Sequence, residues 1–296
     1  MKRHSGARLF WQRFTRHRLA LCGMGMLGGI VAFVLIGSLF LTETDANRVD
    51  TNLLLHPPST GHPFGTDVVG RDILARVVYG GHISLLIAMA AVMLSLLIGV
   101  PVGAIAGYFG GRLDNLLMRL TEAILTIPPL FLVIIAVKCT DGLLPPLRVA
   151  GRPISAQVVS LICIIGFTNW PALARLVRVQ ILTLKEREFV LAAQSLGASH
   201  LQILRHHLLP NSLAPIVVHA TLGVANAILS ESYVSFLGLG VPPPTATWGN
   251  MLEDVPRYLA LAPWLWGFPG GFILLTVLAI NGIGDGLRDA LAPRGQ

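Results

Sequence analysis

The stretch Leu184-Lys-Glu-Arg-Glu-Phe-Val-Leu-Ala-Ala-Gln-Ser-Leu-Gly-Ala-Ser-His-Leu-Gln-Ile-Leu-Arg-His-His-Leu-Leu-Pro-Asn211 decides how this chain is read. Phe189, Ala192, Ala193 and Leu196 recur at i, i+3, i+4, i+7, the spacing of one face of a helix. Gly197 interrupts that helix, Ser199 can cap a second short one carrying Ile203 and Leu204, and Pro210 leads into the next apolar run. Two short helices around a glycine turn present an apolar face that nothing inside the loop covers. Either the face lies flat on a lipid surface or it docks into a partner.

On either side the loop is bounded by uncharged runs, at 153–174 and 208–230, and three more of comparable length lie at 19–41, 83–111 and 258–284. A span needs about 20 apolar residues, given ~1.5 Å rise per residue across ~30 Å of hydrocarbon. A shorter run, 123–137, reaches that length if 116–122 continues the same helix, so the sequence predicts six spans. Composition agrees: 53% of the 296 residues are hydrophobic and 12% are charged, against about 25% charged in soluble domains. Charge this scarce excludes an ordinary soluble fold. Cys22, Cys139 and Cys163 fit no paired spacing and indicate neither a disulfide framework nor a metal centre.

Six spans place both termini on one side. With the termini inside, 15 of the 22 Lys and Arg residues fall on inner segments and 7 on outer ones, which is the sense of the positive-inside rule. Orientation therefore accounts for most of the net charge of +7, and no nucleic-acid partner is needed to explain it. Leu9, Phe10, Trp11 and Phe14, set among arginines, read as an interfacial helix. The uncharged run 19–41 is long for a cleaved signal and reads as an anchor. The organisation expected is an inner segment 1–18, a first span 19–41, an external segment 42–82, a five-helix unit 83–290 with its loop at 175–211, and an inner tail 291–296.

The spacing Ala192-Ala193, three residues, Gly197, then Leu209-Pro210 resembles the signature loop of the permease subunits of bacterial ABC importers. Leu191 stands where that signature opens with glutamate, and His207 where it has isoleucine. Further segments resemble the dipeptide, oligopeptide and nickel branch: Phe64-Gly-Thr-Asp-Val-Val-Gly-Arg-Asp72, Gly107-Tyr-Phe-Gly-Gly111, Ser235-Phe-Leu-Gly-Leu-Gly240, Trp248-Gly-Asn-Met-Leu252 and Gly284-Asp-Gly-Leu-Arg-Asp-Ala-Leu291. The resemblance implies an all-α membrane protein of six helices with the type I importer permease fold, in the cytoplasmic membrane of a bacterium. It implies a second, homologous permease as partner, two ATP-binding subunits that hold ATP and Mg, and an external solute-binding protein. Phe189, Ala192, Ala193, Leu196, Gly197, Ala198, Leu209 and Pro210 would then form the element that couples to the ATPase. Cargo would be a di- or oligopeptide, with nickel or a metal chelate as the rival. His56, His62 and His82 show no tight ligand spacing.

The remaining polar residues admit two readings each. Asp67–Arg71 and Asp72–Arg76 stand at i, i+4 on an expected external helix, worth ~0.2 to 0.5 kcal/mol per pair as simple stabilisation. Alternatively, Asp67, Gly70, Arg71 and Asp72 contact the binding protein or shape an outer gate, with Trp248 lining the entrance. Glu122 and Glu231 interrupt apolar stretches, where a carboxylate normally faces a cavity or a partner; both are pathway candidates. The opposing class, an enzyme, rests on Gly282-Ile-Gly-Asp285, which resembles an intramembrane aspartyl protease element. That chemistry needs a second aspartate in a neighbouring span, and the sequence has none. No nucleotide-binding G-x-x-x-x-G-K-[ST] occurs either, so energy must come from a partner. A channel or secondary carrier would have no use for the loop.

Overall fold

A computed structural model describes residues 6–140, 147–149 and 152–291. The described residues are overwhelmingly helical. Helix α1 (Gly6–Phe14) precedes the long α2 (Arg18–Phe40), short α3 (Glu43–Asn47) and the longest helix, α4 (Ile73–Phe109). Then come α5 (Gly111–Thr126), α6 (Pro129–Thr140), a hairpin of β1 (Leu147–Val149) against β2 (Arg152–Ile154), and α7 (Ala156–Lys185). The quoted loop forms α8 (Glu188–Ser195) and α9 (His200–Gln202), which runs through a wide turn at Ile203–Leu208 into α10 (Leu209–Phe236). Short α11 (Val255–Tyr258) and long α12 (Trp264–Leu291) complete the chain.

Among the described residues, five helical segments are long and apolar enough to cross a membrane: Arg18–Phe40, Ile73–Phe109, Ala156–Lys185, His200–Phe236 and Trp264–Leu291. The expected third crossing is not one continuous helix. Pro128 disfavours helical backbone at Ile127, which is extended at φ −84° and ψ 127°, so the run splits into α5 and α6. Both pieces pack against α7. Helix α12 runs through Gly284-Asp-Gly286 and on to Leu291. These glycines are packing positions: a Cβ on Gly286 would meet the Cβ of Ala20 at 2.3 Å, and one on Gly284 the Cδ2 of Leu222 at 2.7 Å.

The bundle is organised by α4 lying along α7. In lipid the tails are as apolar as the side chains, so helices associate by close packing rather than by hydrophobic burial. On α4, Gly99, Gly103 and Gly107 recur every four residues. A Cβ on each would strike a carbonyl oxygen of α7: Trp170 at 2.9 Å, Ala174 at 2.3 Å and Arg178 at 2.8 Å. The same relation is reversed higher up, where a Cβ on Gly166 of α7 would sit 2.9 Å from the carbonyl oxygen of Ala91. The two backbones therefore approach along four turns with nothing between them.

Replacing Gly103 by leucine should consequently separate α4 from α7, at a cost of about 1–3 kcal/mol for the overpacking. Gly25→Ala, where a Cβ meets nothing within 4 Å, should stay within about 0.5 kcal/mol of the parent. Thermal unfolding in detergent distinguishes them, and equal melting would contradict the packing described.

Candidate functional site

Two polar constellations sit at opposite ends of the bundle. At the end carrying the quoted loop, the element α8–α9 is fixed on three sides. Val190, Ile203, Leu204 and Leu208 are buried in one region with Ala104 of α4, Leu173, Val177 and Ile181 of α7 and Ile216 of α10, and Ala198 and Leu209 pack against it; Ala193 is buried as well. The Lys185 ammonium donates to the Gly107 carbonyl at 3.3 Å, and the Tyr108 hydroxyl pairs with His200 Nδ1 at 2.8 Å. Arg178 Nε and Nη2 donate to the two carboxylate oxygens of Asp114 at 2.5 and 2.6 Å, tying α7 to α5 in a bidentate pair.

The turn within the element is dictated by its sequence. After Ser195 the chain adopts φ +80° at Gly197, the left-handed conformation that only glycine takes without strain. The Gly197 N–H then donates to the Gln194 carbonyl at 2.9 Å and the Ala198 N–H to the Ala193 carbonyl at 3.1 Å, a Schellman cap. Since a Cβ at Gly197 would meet nothing within 4 Å, the demand is conformational rather than steric. Ser199 and Gln202 form a reciprocal capping box at the start of α9. Pro210 has no N–H and its ring crowds the carbonyl four residues back; the wide turn at Ile203–Leu208, with the Leu209 N–H reaching the Leu204 carbonyl, makes room for it.

Ala193 faces inward with Val190, so the apolar face expected from periodicity is divided. Its uncovered part comprises Phe189, Ala192 and Leu196, joined by Leu191 and Leu201; Leu196 is 88% exposed and Leu201 72%. A patch so apolar, held on a rigid element, is what a docking surface requires.

At the opposite end the expected external helix over 66–76 does not form. Thr66 bridges to Asp72 as a turn, and helix α4 starts only at Ile73, with the Asp72 carboxylate accepting from the Ala75 N–H at 2.8 Å. Asp72 is thus a helix cap that also binds His62 at 2.7 Å, and it forms no pair with Arg76. Instead Asp67 gathers the local charges. It accepts from the N–H groups of Val69 and Arg71, from Arg71 Nε at 2.6 Å, and lies 3.8 Å from Arg76 Nε. Gly70, at φ +83°, lets the turn close onto the Asp50 carbonyl.

Beside this turn, Trp248 is fully buried: its indole N–H donates to the Val77 carbonyl at 2.9 Å and its backbone N–H to Ser84 Oγ at 3.1 Å. Glu231 is buried completely as well, accepting from Ser235 Oγ at 2.7 Å and Ser84 Oγ at 3.3 Å. Glu122, by contrast, lies exposed on α5. The two glutamates therefore share no environment. Asp289 pairs with His17 at 3.4 Å, joining α12 to the residue that caps α2.

Residues 99–295 match the family model described as the binding-protein-dependent transport system inner membrane component. The chain belongs to that family. Residues 5–58 match the N-terminal membrane domain of oligopeptide transport permease C. A protein of Brucella suis biovar 1, named by inference as a peptide permease, is 45% identical, with 96% of this chain and 90% of that one aligned. The oligopeptide permease OppC of Bacillus subtilis is 41% identical (95% and 88% covered), and its dipeptide permease DppC 39% (96% and 84%). Among solved structures, a chain of the inward-facing MetNI methionine ABC transporter superposes with TM-score 0.57 at 20% identity, covering 73% of this chain and 97% of that one. This is the fold of a type I importer permease, and the chain is an integral membrane protein that works with other subunits of an ABC transporter. It is a transport subunit, like its relatives, and not an enzyme.

Residues that the sequence did not single out include Lys185, Tyr108, His200 and the Asp114–Arg178 pair, whose partners lie 64 to 92 positions apart. Also missed were Asn169, His219 and Asn226, polar side chains inside apolar runs, a signal that was available.

Glu231→Ala should leave the Ser84 and Ser235 hydroxyls without their shared acceptor and destabilise the chain by about 1–3 kcal/mol. Glu231→Gln, which keeps an acceptor oxygen in the same volume, should lose less than half of that in thermal unfolding. Equal losses would show that the hydrogen bonds contribute nothing.

Proposed function

We propose that this chain is a permease subunit of an ATP-driven importer that carries di- or oligopeptides across the bacterial inner membrane by alternating access. The loop end is cytoplasmic, both termini lie on that side, and the Thr66–Asp72 turn faces outward; the 15-to-7 division of basic residues supports this orientation. The first span, 19–41, is followed by the external segment 42–82 and the five-helix unit 83–290. The observation that carries the reading is the exposed apolar patch on α8 and α9, fixed to α4, α7 and α10 beneath it. Two cytoplasmic ATPases hold ATP and Mg, and each seats such an element in a groove. Phe189, Ala192 and Leu196 fill the groove, while Ala193, Gly197, Ala198, Leu209 and Pro210 set the element's shape.

A homologous but distinct permease supplies the other half of the pathway, and an external binding protein delivers cargo. Asp67, Gly70, Arg71 and Asp72, with buried Trp248 and Glu231 behind them, hold the outward surface in shape for that protein; Glu122 lies at the inward end. Peptide rather than nickel as cargo is supported by the names of the relatives.

Leu196→Asp tests the docking. The side chain is 88% exposed, so folding and membrane insertion should be unchanged, while a charge in an apolar groove should cut co-purification of the ATPases and ATP-dependent peptide uptake by at least about tenfold. Undiminished uptake would overturn the assignment.

A further inference from the structure

Between α4, α7 and α10 lies a cavity of about 220 Å³ lined by Ser95, Asn169, His219 and Asn226 among apolar side chains. Ser95, Asn169 and His219 stand well inside their helices, far from either end. His219, Gly223 and Asn226, at i, i+4, i+7, put one stripe of α10 against the cavity. Its lining carries no Asp, Glu, Lys or Arg. The side chains of Asn169, His219 and Asn226 make no hydrogen bond to any described residue, although polar groups at membrane depth ordinarily find partners in neighbouring helices or a cavity's contents.

Each asparagine offers both a carbonyl acceptor and an amide donor, and a neutral imidazole offers one of each. A peptide bond presents the complementary pair. Resting on the transport reading, we infer that this cavity is a station for the cargo's backbone, where Asn169, Asn226 and His219 hydrogen-bond to peptide N–H and C=O groups. A lining without fixed charge has no electrostatic preference for acidic or basic side chains, so selection here is for the amide rather than for sequence. Gly223 keeps the station open: a Cβ there would meet Val92 Cγ2 at 3.4 Å, ordinary contact, so a larger side chain could be accommodated on the backbone and would project into the cavity.

The test uses the whole importer in liposomes, fed either a tripeptide or its depsipeptide analogue, in which an ester oxygen replaces one amide N–H. Asn169→Leu combined with Asn226→Leu should lower tripeptide uptake about tenfold and bring the preference for peptide over depsipeptide towards one, while ATP hydrolysis stimulated by loaded binding protein persists. Gly223→Leu should lower uptake of both compounds equally, and it decides the matter should the double variant fail to assemble. Parent-like rate and preference in the double variant, or parent-like uptake in Gly223→Leu, would overturn the inference. Absence of ATP-dependent uptake of either compound by the parent complex would instead overturn the transport reading.

Discussion

Everything at the loop end depends on the backbone contact between α4 and α7. Three glycines on α4 bring it onto the carbonyl oxygens of α7 without a side chain between them, and that contact ends where the loop begins. Gly107 is the last glycine of the stripe, and its carbonyl accepts from Lys185 at the end of α7. Tyr108, one residue on, holds His200 of α9. The same two helices that meet backbone to backbone therefore also grip α8 and α9, so in the proposed importer a force applied to that element would be delivered to α4 and α7.

Rigidity within the element has local causes that reinforce the seam. The glycine cap at Gly197, the capping box at Ser199 and the wide turn before Pro210 leave few free backbone groups, and the inward half of the apolar face is committed to the buried region shared with α4, α7 and α10. What stays outward of that face is apolar and exposed. At the other end of the molecule, buried Glu231 of α10 and Trp248 beyond it tie that region to the N-terminal part of α4, so α4 is anchored at both ends by different means.

Much of this was legible in the sequence because it is periodic or local. Apolar runs locate five spans, the helical spacing around Phe189–Leu196 finds the element, and Gly197 marks its turn. Periodicity did not divide that face into Ala193 inward and Leu196 outward, since the division depends on which long helices lie beneath. The i, i+4 rule suggested an Asp72–Arg76 pair, but Asp72 had a stronger use as the cap of α4, and Arg76 turned to Asp67. The third crossing reads as one helix in the sequence and is two in the structure, because apolarity continues through Pro128 while helical backbone does not. Long-range pairs such as Asp114 with Arg178 leave no mark in the local pattern.

The central claim is that α8–α9 and the α4–α7 seam move as one body. In a chain with Cys22, Cys139 and Cys163 replaced by serine, spin labels at positions 194 and 97, where Gln194 is exposed outside the apolar patch and Leu97 is 68% exposed, report the distance between element and bundle by pulsed paramagnetic resonance. In the assembled importer that distance should be the same at rest and with ATP trapped. A shift approaching one helical turn, ~5.4 Å, would show that the element slides on the bundle and would contradict rigid transmission.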